Sequence, residues 1–410
     1  MDRQEAAALA GAPGKLSSLR PEALGAPESG IVEVFNYGRG RQGLIPLWVG
    51  EGDMPAPAFI CEAMTRSLAA GETFYTHQRG IPELREAIAR YMTRVYGSPH
   101  AGSAVPFAAE RFFATTGGMH ALQIAVRMVS GPDDEVIVPT PAWPNFNGAL
   151  AVSGARAVEV AMRLGTEDGK PRWLMDMEAM AAAITPRTTA IIVNTPANPT
   201  GWTATIAELA AILDLARRHG VWIVADEIYG RITYDGVRAP SFHDLIDESD
   251  RVMFVQTLSK NWAMTGLRSG WLEAPAELGQ VIENLVQYST SGSPVPVQRA
   301  AVAALDRGED FFAHQLARFR RSRDILCDGL AATGRVHFAR PDAAFYVFAR
   351  IDGFSDTRML CLQLVDQANV GVAPGSAFGH GAEDFVRICF APKPDDMAEA
   401  TRRLAQWLAA

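Results

Sequence analysis

From about residue 110 onward, short apolar runs alternate with stretches of helical period. Arg111–Thr115, Glu135–Pro139, Ala157–Val160, Ala190–Asn194, Trp222–Ala225, Val252–Gln256 and Arg268–Leu272 are brief and rich in Val, Ile, Ala and Phe, which predicts strands. Between them, Gly117-Gly118 opens a helix to about Val129, and another helix runs from about Thr205 to Arg218. Near-continuous apolar strands separated by helices predict an α/β fold whose mostly parallel sheet is covered on both faces. Upstream, Pro82 stands at the first turn of an amphipathic helix, Glu83–Tyr96, with Leu84, Ile88, Tyr91 and Val95 on one face. Ile31–Phe35 is short and apolar enough for a strand.

The last third changes character. Phe312, Leu316, Phe319, Leu326 and Leu330 fall at helical spacing in a long charged helix, Asp310–Thr333. Short strands at 336–339, 345–349 and 385–390 alternate with helices at about 357–369 and 395–408. The chain therefore divides into a loose Ala/Gly/Pro/Ser-rich arm (1–30), an amino-terminal contribution to a small domain (31–55), a large domain (56–295) and a small carboxy-terminal α/β domain (296–410).

Composition narrows the function classes. The net charge of -8 is spread with no basic block, which argues against nucleic acid as a partner. No apolar run reaches the roughly 18 residues of a membrane span, and the acidic opening, Met1–Ala10, is a poor signal peptide. Cys61, Cys327, Cys361 and Cys389 are scattered without a CxxC pair. No metal site is expected, and reduced thiols place the protein in the cytoplasm. Gly38-Arg-Gly-Arg-Gln-Gly43 matches the dinucleotide fingerprint GxGxxG, but Pro46 follows where a helix is needed. It reads as a turn, and a nicotinamide-dependent dehydrogenase is set aside.

The candidate chemistry lies on the carboxyl side of the strands, where open α/β sheets build ligand sites. Past Val252–Gln256, the stretch Thr257-Leu-Ser-Lys-Asn-Trp-Ala-Met-Thr-Gly-Leu-Arg-Ser-Gly-Trp271 sets Lys260 among small hydroxyl residues. A lysine amine there can form an imine with an aldehyde cofactor, while Thr257, Ser259 and Arg268 hold a phosphate. The Gly117-Gly118 turn exposes N–H groups at a positive helix end, a second anion site. Trp222–Ala225 delivers Asp226 and Glu227, with Tyr229 close behind, and Ala190–Asn194 leads into the stiff, polar Asn194-Thr-Pro-Ala-Asn-Pro-Thr-Gly201.

In order and spacing, Asn198-Pro-Thr-Gly201, Asp226-Glu-Ile-Tyr229, Ser259-Lys260 with Arg268, and Arg387 in Val-Arg-Ile resemble the class I/II aminotransferases, the pyridoxal-phosphate enzymes of fold type I. The likeness runs from about Gly50 to the end. It implies a mostly parallel seven-stranded sheet flanked by helices, a smaller carboxy-terminal α/β domain, and pyridoxal phosphate as cofactor. By the same resemblance, Lys260 holds the cofactor as an imine and carries the Cα proton, and Asp226 pairs with the pyridinium nitrogen. Tyr229 and Asn198 bond the ring's phenolic oxygen, and Trp143 stacks on the ring. The backbone amides of Gly118 and Met119, with Thr257, Ser259 and Arg268, bind the phosphate. Tyr75 reaches the partner's phosphate across a homodimer interface. Arg387 grips the substrate α-carboxylate, Gly50 lies over the substrate backbone, and Trp143 and Asn198 border the substrate. Cis peptides are implied at Thr140–Pro141 and Asn198–Pro199.

The chain departs from the family at two places. Gly50-Glu51-Gly52 replaces the frequent Gly-Glu-Pro, and Pro341-Asp-Ala-Ala-Phe345 replaces Pro-x-Gly-Gly/Ala-Phe. The stretch from Asn284 to Gln298, which in one aspartate aminotransferase branch supplies an arginine to the partner's side-chain pocket, has no charged residue. Lys15, Arg39 and Arg41 are then the candidate cations for a substrate side chain. The expected activity is transfer of an amino group from an aspartate-like or aromatic L-amino acid to a 2-oxo acid such as 2-oxoglutarate. The alternatives are a carbon–sulfur β-lyase and a non-catalytic cofactor-binding regulator.

Overall fold

The computed structural model describes residues 15–410. Seven strands form the main sheet: β1 (Phe112–Thr115), β2 (Glu135–Thr140), β3 (Arg156–Ala161), β4 (Thr188–Asn194), β5 (Trp222–Asp226), β6 (Val252–Thr257) and β7 (Gly270–Glu273). Their order is β1-β7-β6-β5-β4-β2-β3, and β7 is antiparallel to both of its neighbours while the others run parallel. Of the central strands, β6 is buried along its whole length and β5 from Ile223 on, as apolar runs require when helices cover both faces.

The helices start and stop where local chemistry dictates. In α2 (Pro82–Tyr96) proline occupies the first turn, where its missing N–H leaves no bond unmade. In α4 (Ile206–His219) Thr205 and Glu208 form a reciprocal capping box, and Gly220 ends the helix in the left-handed conformation. The helix α3 (Gly118–Val129) begins directly after β1 and buries His120, Ala121, Leu122, Ile124, Ala125 and Val126 against the sheet.

A second, antiparallel sheet contains β8 (Val336–Phe338), β9 (Tyr346–Ile351), β10 (Ala373–Pro374) and β11 (Phe385–Cys389) in the order β8-β9-β11-β10. The long helix α5 (Glu309–Ala332) and the last helix α6 (Pro394–Ala409) pack together beside it. One apolar core runs from under the main sheet through Phe345, Tyr346 and Phe348 into this second layer.

Several expectations are revised. Ile31–Phe35 is helical, within α1 (Gly30–Gly38), because Ile31, Val34 and Phe35 then share one face. Val34 is fully buried, and the Phe35 ring meets Trp48 edge-on at 5.9 Å. Within the loose arm, residues 1–14 lie outside the described residues. From residue 15 the chain forms a 3-10 turn, Lys15–Ser18, and a short helix, Pro21–Leu24, resting on the helix Asn145–Ser153. Arg268 lies outside its expected strand, since its φ of 55° is left-handed and β7 starts at Gly270. The helix at 357–369 is Thr357–Gln363 followed by a π turn, Leu364–Ala368. The hairpin Arg163–Glu167/Lys170–Leu174 and the helices Asn145–Ser153, Gly279–Gln287 and Val295–Arg307 carry no signal in the expectations above.

At the glycine fingerprint, Gly38 ends α1 and Gly40 and Gly43 take φ of 82° and 71°. No helix follows: Ile45–Pro46 instead pairs in parallel with Val370–Gly371. The peptides Thr140–Pro141 and Asn198–Pro199 are cis as expected, and so is Thr195–Pro196.

Candidate active site

The ladders bring the candidate residues to one edge. Gly270 pairs with both Thr115 and Thr257, and Asn194 pairs with Asp226, so four strands end at the same level. Past these ends lies a cavity of about 460 Å³, closed on its far side by Tyr346 and Arg387 from the second sheet. Gly50, Gly118, Met119, Trp143 and Asn198 line it, as do Asp226, Tyr229, Thr257, Ser259, Lys260 and Arg268. Of the expected site residues, only Tyr75 is elsewhere, 93% exposed on a loop.

Lys260 is drawn in by its backbone setting. Its carbonyl accepts from Gln315 Nε2 (2.8 Å), and its Nζ donates to the Gly50 carbonyl (2.7 Å). Burial disfavours the ammonium and lowers the Lys260 pKa to about 8. The neutral amine, the form able to attack a carbonyl, is thus accessible near neutral pH.

Asp226 is the opposite case. Burial pushes its carboxyl up to about 7, even though the Ile228 N–H and Asn194 favour the charged form. Its neighbour Glu227 is also buried, but turns away to accept from Ser241 Oγ (2.7 Å) and the Phe242 N–H (3.1 Å). An acid so placed calls for a cationic partner, which a protonated ring nitrogen supplies.

The anion cradle forms where β1 meets α3. Gly117 has φ of 92°, and a Cβ there would lie 2.6 Å from Arg268 Nη2, so only glycine admits the guanidinium. Arg268 is oriented by donating through Nη1 to the Thr265 carbonyl (2.7 Å). Thr257 Oγ1 donates to the Ser269 carbonyl (3.0 Å), accepts from the Ser259 N–H (3.2 Å) and lies 2.9 Å from Ser259 Oγ. A guanidinium, two hydroxyls and the amino end of a twelve-residue helix suit a phosphate.

Arg387 is buried and, among the described residues, has no carboxylate partner. Its Nη1 donates to Asn198 Oδ1 (2.9 Å), its Nη2 to the Trp48 carbonyl, and its Nε has no partner. The guanidinium sits over the rings of Tyr346 (4.8 Å) and Phe378 (4.9 Å). A buried cation with an idle donor fits an incoming anion.

Tyr346 is the functional residue that the sequence reading missed. Its hydroxyl lies 2.8 Å from that of Tyr229, and a side chain at Gly50 would overlap it. Burial pushes the Tyr229 phenol well above its ordinary range. The sequence offered one hint, a tyrosine in an otherwise apolar strand, whose hydroxyl needs a partner when buried. Asn194 was read as a strand end; it also accepts the Asn198 N–H (2.8 Å) and so fixes that turn. The candidate side-chain cations lie elsewhere. Arg41 pairs with Asp366 (2.6 Å) and stacks on Tyr37, and Lys15 and Arg39 do not line the cavity.

Aldehyde, ring nitrogen and phosphate are the three handles of pyridoxal phosphate, and each finds a fitting group along this one sheet edge. Fold and site together define a pyridoxal-phosphate enzyme of fold type I. The family model for aminotransferase class I and II matches residues 44–404. An aspartate/prephenate aminotransferase of Thermus thermophilus is 33% identical over 402 residues, covering 96% of this chain and 98% of the relative. An arginine–pyruvate transaminase of Pseudomonas aeruginosa is 34% identical over 364 residues, covering 88% and 89%. The solved aspartate aminotransferase of Thermotoga maritima superposes with a TM-score of 0.86 at 28% identity, over 96% of this chain and all of that one. The chain belongs to the class I and II aminotransferases. It is a pyridoxal-phosphate-dependent transaminase acting on amino acids and 2-oxo acids.

Proposed function

We propose that Lys260 is the cofactor's attachment point and the proton carrier of a ping-pong transamination. The donor is an L-amino acid of the aspartate-like or aromatic group, and the acceptor is a second 2-oxo acid. The observation that carries this reading is the buried Lys260 amine, held near a pKa of about 8, in the same cavity as the unpaired Asp226 and Arg387.

Bound pyridoxal phosphate supplies an electron sink for the charge left when the substrate Cα–H bond breaks. The protein's own groups do the rest. Asp226 stays ionised beside the cationic ring nitrogen and keeps it protonated. Tyr229 and Asn198 orient the ring oxygen, and Trp143 fixes the ring's tilt with an apolar face. Thr257, Ser259, Arg268 and the amides of Gly118 and Met119 anchor the phosphate, leaving the reactive end to the substrate. Arg387 takes the α-carboxylate as a bidentate clamp, and Gly50 leaves room for the substrate backbone. With the substrate so fixed, Lys260, released from the cofactor when the substrate amine displaces it, would be the base that takes the proton from Cα.

We also infer a homodimer in which Tyr75 completes the partner's phosphate site. The exposure of Phe74, Tyr75 and Tyr288, at 83%, 93% and 88%, supports such a contact. We divide the chain into a large cofactor domain (56–295) and a small domain (296–410 with 31–55), a division that the main sheet and the second, antiparallel sheet support, with the helix Val295–Arg307 at the boundary packed on Ala58–Ala69 and α2. Four free thiols support a cytoplasmic setting, and no helix among the described residues is long and apolar enough to cross a membrane.

Replacing Lys260 by Ala tests the central claim. Transamination is expected to fall at least about 10⁴-fold, the upper range for losing a general acid–base group. The imine absorbance should disappear while the circular dichroism spectrum is kept. A Lys260→Ala enzyme with wild-type turnover would overturn the assignment. The same half-reaction separates transfer from β-elimination: the amine form of the cofactor accumulates without acceptor only if transfer occurs.

A further inference from the structure

Beside the phosphate cradle stands a titratable group with no part in the proton transfer. His120 lies on the first turn of α3 and is 9% exposed. Its Nδ1 accepts the Thr116 N–H (3.2 Å), and its Nε2 lies 2.9 Å from Ser289 Oγ. A ring nitrogen that accepts an N–H carries no hydrogen of its own, so the hydrogen sits on Nε2 and Ser289 Oγ accepts it. Ser289 Oγ is free to accept because its own hydrogen goes to the Leu285 carbonyl (2.7 Å). The segment before it is anchored too, since Gln287 accepts from Gln78 Nε2 (2.5 Å) on the loop that carries Tyr75. Both ring nitrogens are thus matched within one chain, and only a neutral imidazole matches them. Burial, and after it the field of Arg127, lower the His120 pKa and favour the same form.

Thr116 and His120 bracket the peptide that faces the cradle. The Gly117 carbonyl accepts from Thr115 Oγ1 (3.1 Å) and from the N–H groups of His120 (3.1 Å) and Ala121 (3.3 Å), which turns it into α3. A trans peptide sets a carbonyl and the following N–H on opposite sides, so the Gly118 N–H turns toward the cavity that Gly118 lines. The incoming side of the same turn is held by the Thr116 N–H on the imidazole. Resting on the phosphate reading above, we infer that His120 is the positioning residue of the cradle. Its neutral ring ties the Thr116–Gly118 turn to Ser289 and keeps the Gly118 and Met119 amides aimed at the phosphate. Without it the Thr116 N–H has no acceptor and the turn relaxes, and donors aimed in advance need a fixed support.

The test titrates the full-length apoprotein with pyridoxal phosphate, with pyridoxal, which lacks the phosphate, and with inorganic phosphate. His120→Phe keeps a flat ring of similar size and removes both hydrogen bonds. It should raise the dissociation constants of pyridoxal phosphate and inorganic phosphate about tenfold, the worth of one hydrogen bond, and that of pyridoxal less than about twofold. His120→Asn puts an amide oxygen near the place of Nδ1 and should keep phosphate affinity within about threefold of wild type. Ser289→Ala takes away the ring's outer support and should fall between the two. Wild-type phosphate affinity in His120→Phe, an equal loss for pyridoxal, or an Asn variant as weak as the Phe variant overturns the inference. If His120→Phe does not fold, Ser289→Ala decides: a wild-type ratio of pyridoxal phosphate to pyridoxal affinity overturns it, and a lowered ratio supports it. Should the wild-type apoprotein form no imine with either aldehyde, the reading of Lys260 fails, and inorganic phosphate still decides the role of His120. Should wild type hold pyridoxal phosphate no tighter than pyridoxal, the cradle reading falls and the role of His120 with it.

Discussion

At the scale of single residues, the site joins groups that each sit uneasily alone. Lys260 and Asp226 are both pushed toward neutrality by burial, to about 8 and about 7, and Arg387 is a buried cation with an idle Nε. Tyr346 ties two of the roles together, through its hydroxyl to Tyr229 and its ring to Arg387. Tyr346→Phe keeps the ring and removes the hydroxyl. It should lower kcat/KM for the amino acid about tenfold, the worth of one hydrogen bond, and shift the pH titration of the cofactor's absorbance. An unchanged kcat/KM would reduce Tyr346 to a packing residue.

Asp226 also makes a pH prediction for the protein freed of cofactor. Its folded-state pKa, about 7, lies above the ordinary carboxylate value of about 4, so the folded chain keeps a proton that the unfolded chain releases in that window. This contribution to stability is fully present below about pH 4 and is lost as the pH rises through 7. Asp226→Asn removes the titration. The difference in urea stability between wild-type and variant apoprotein should therefore change with pH, with a slope approaching about 1.4 kcal/mol per unit between pH 4 and 7. A difference that stays flat would show that Asp226 is less buried than the structure has it.

At the scale of elements, the joins between strand and helix hold the chemistry. The β1–α3 turn needs glycine at 117 for two separate reasons, a φ of 92° and the approach of the Arg268 guanidinium. Gly117→Ala should raise the cofactor's dissociation constant at least about tenfold, since strain and displacement together exceed about 1.4 kcal/mol. Titration of apoprotein with pyridoxal phosphate measures this, and wild-type affinity would show that the loop can yield. Within Pro341–Phe345 the family departure falls at Ala343, and the residue after it, where the family has Gly or Ala, shows why a small residue stands there. Ala344 adopts a left-handed φ of 56°, and its N–H donates to the Ile232 carbonyl (2.8 Å) while its own carbonyl accepts from Tyr234 Oη (2.6 Å). Those bonds hold an alanine in a conformation that glycine adopts freely.

At the scale of the whole molecule, the cavity exists because two sheets meet. The main sheet supplies Lys260, Asp226 and the anion cradle; the second supplies Arg387 and Tyr346. Tyr75 is the one candidate that a single chain leaves out, and it stands almost fully exposed. Equilibrium sedimentation should give twice the chain mass, and Tyr75→Phe should weaken cofactor retention without dissociating the dimer. A stable, active monomer would remove Tyr75 from the site.

Period and punctuation alone determined most of the main sheet. Strands buried on both faces must be continuously apolar, and Gly, Pro and Thr/Glu caps mark where helices can begin and end. The chemistry of Lys260, Asp226 and Arg268 was legible for the same reason, because a strand end followed by polar residues can only face the sheet edge. The helical state of Ile31–Phe35 was not legible. Four β-branched and aromatic residues around Glu33 suit either state, and burial of Val34 with Phe35 against Trp48 decided it. The Tyr229–Tyr346 pair, 117 residues apart in sequence, was likewise settled by packing between sheets. So was the place of Arg41, which turned to Asp366 instead of the cavity. Local sequence fixes what a backbone segment can do by itself; which distant charges and hydroxyls finally face one another depends on how the layers close.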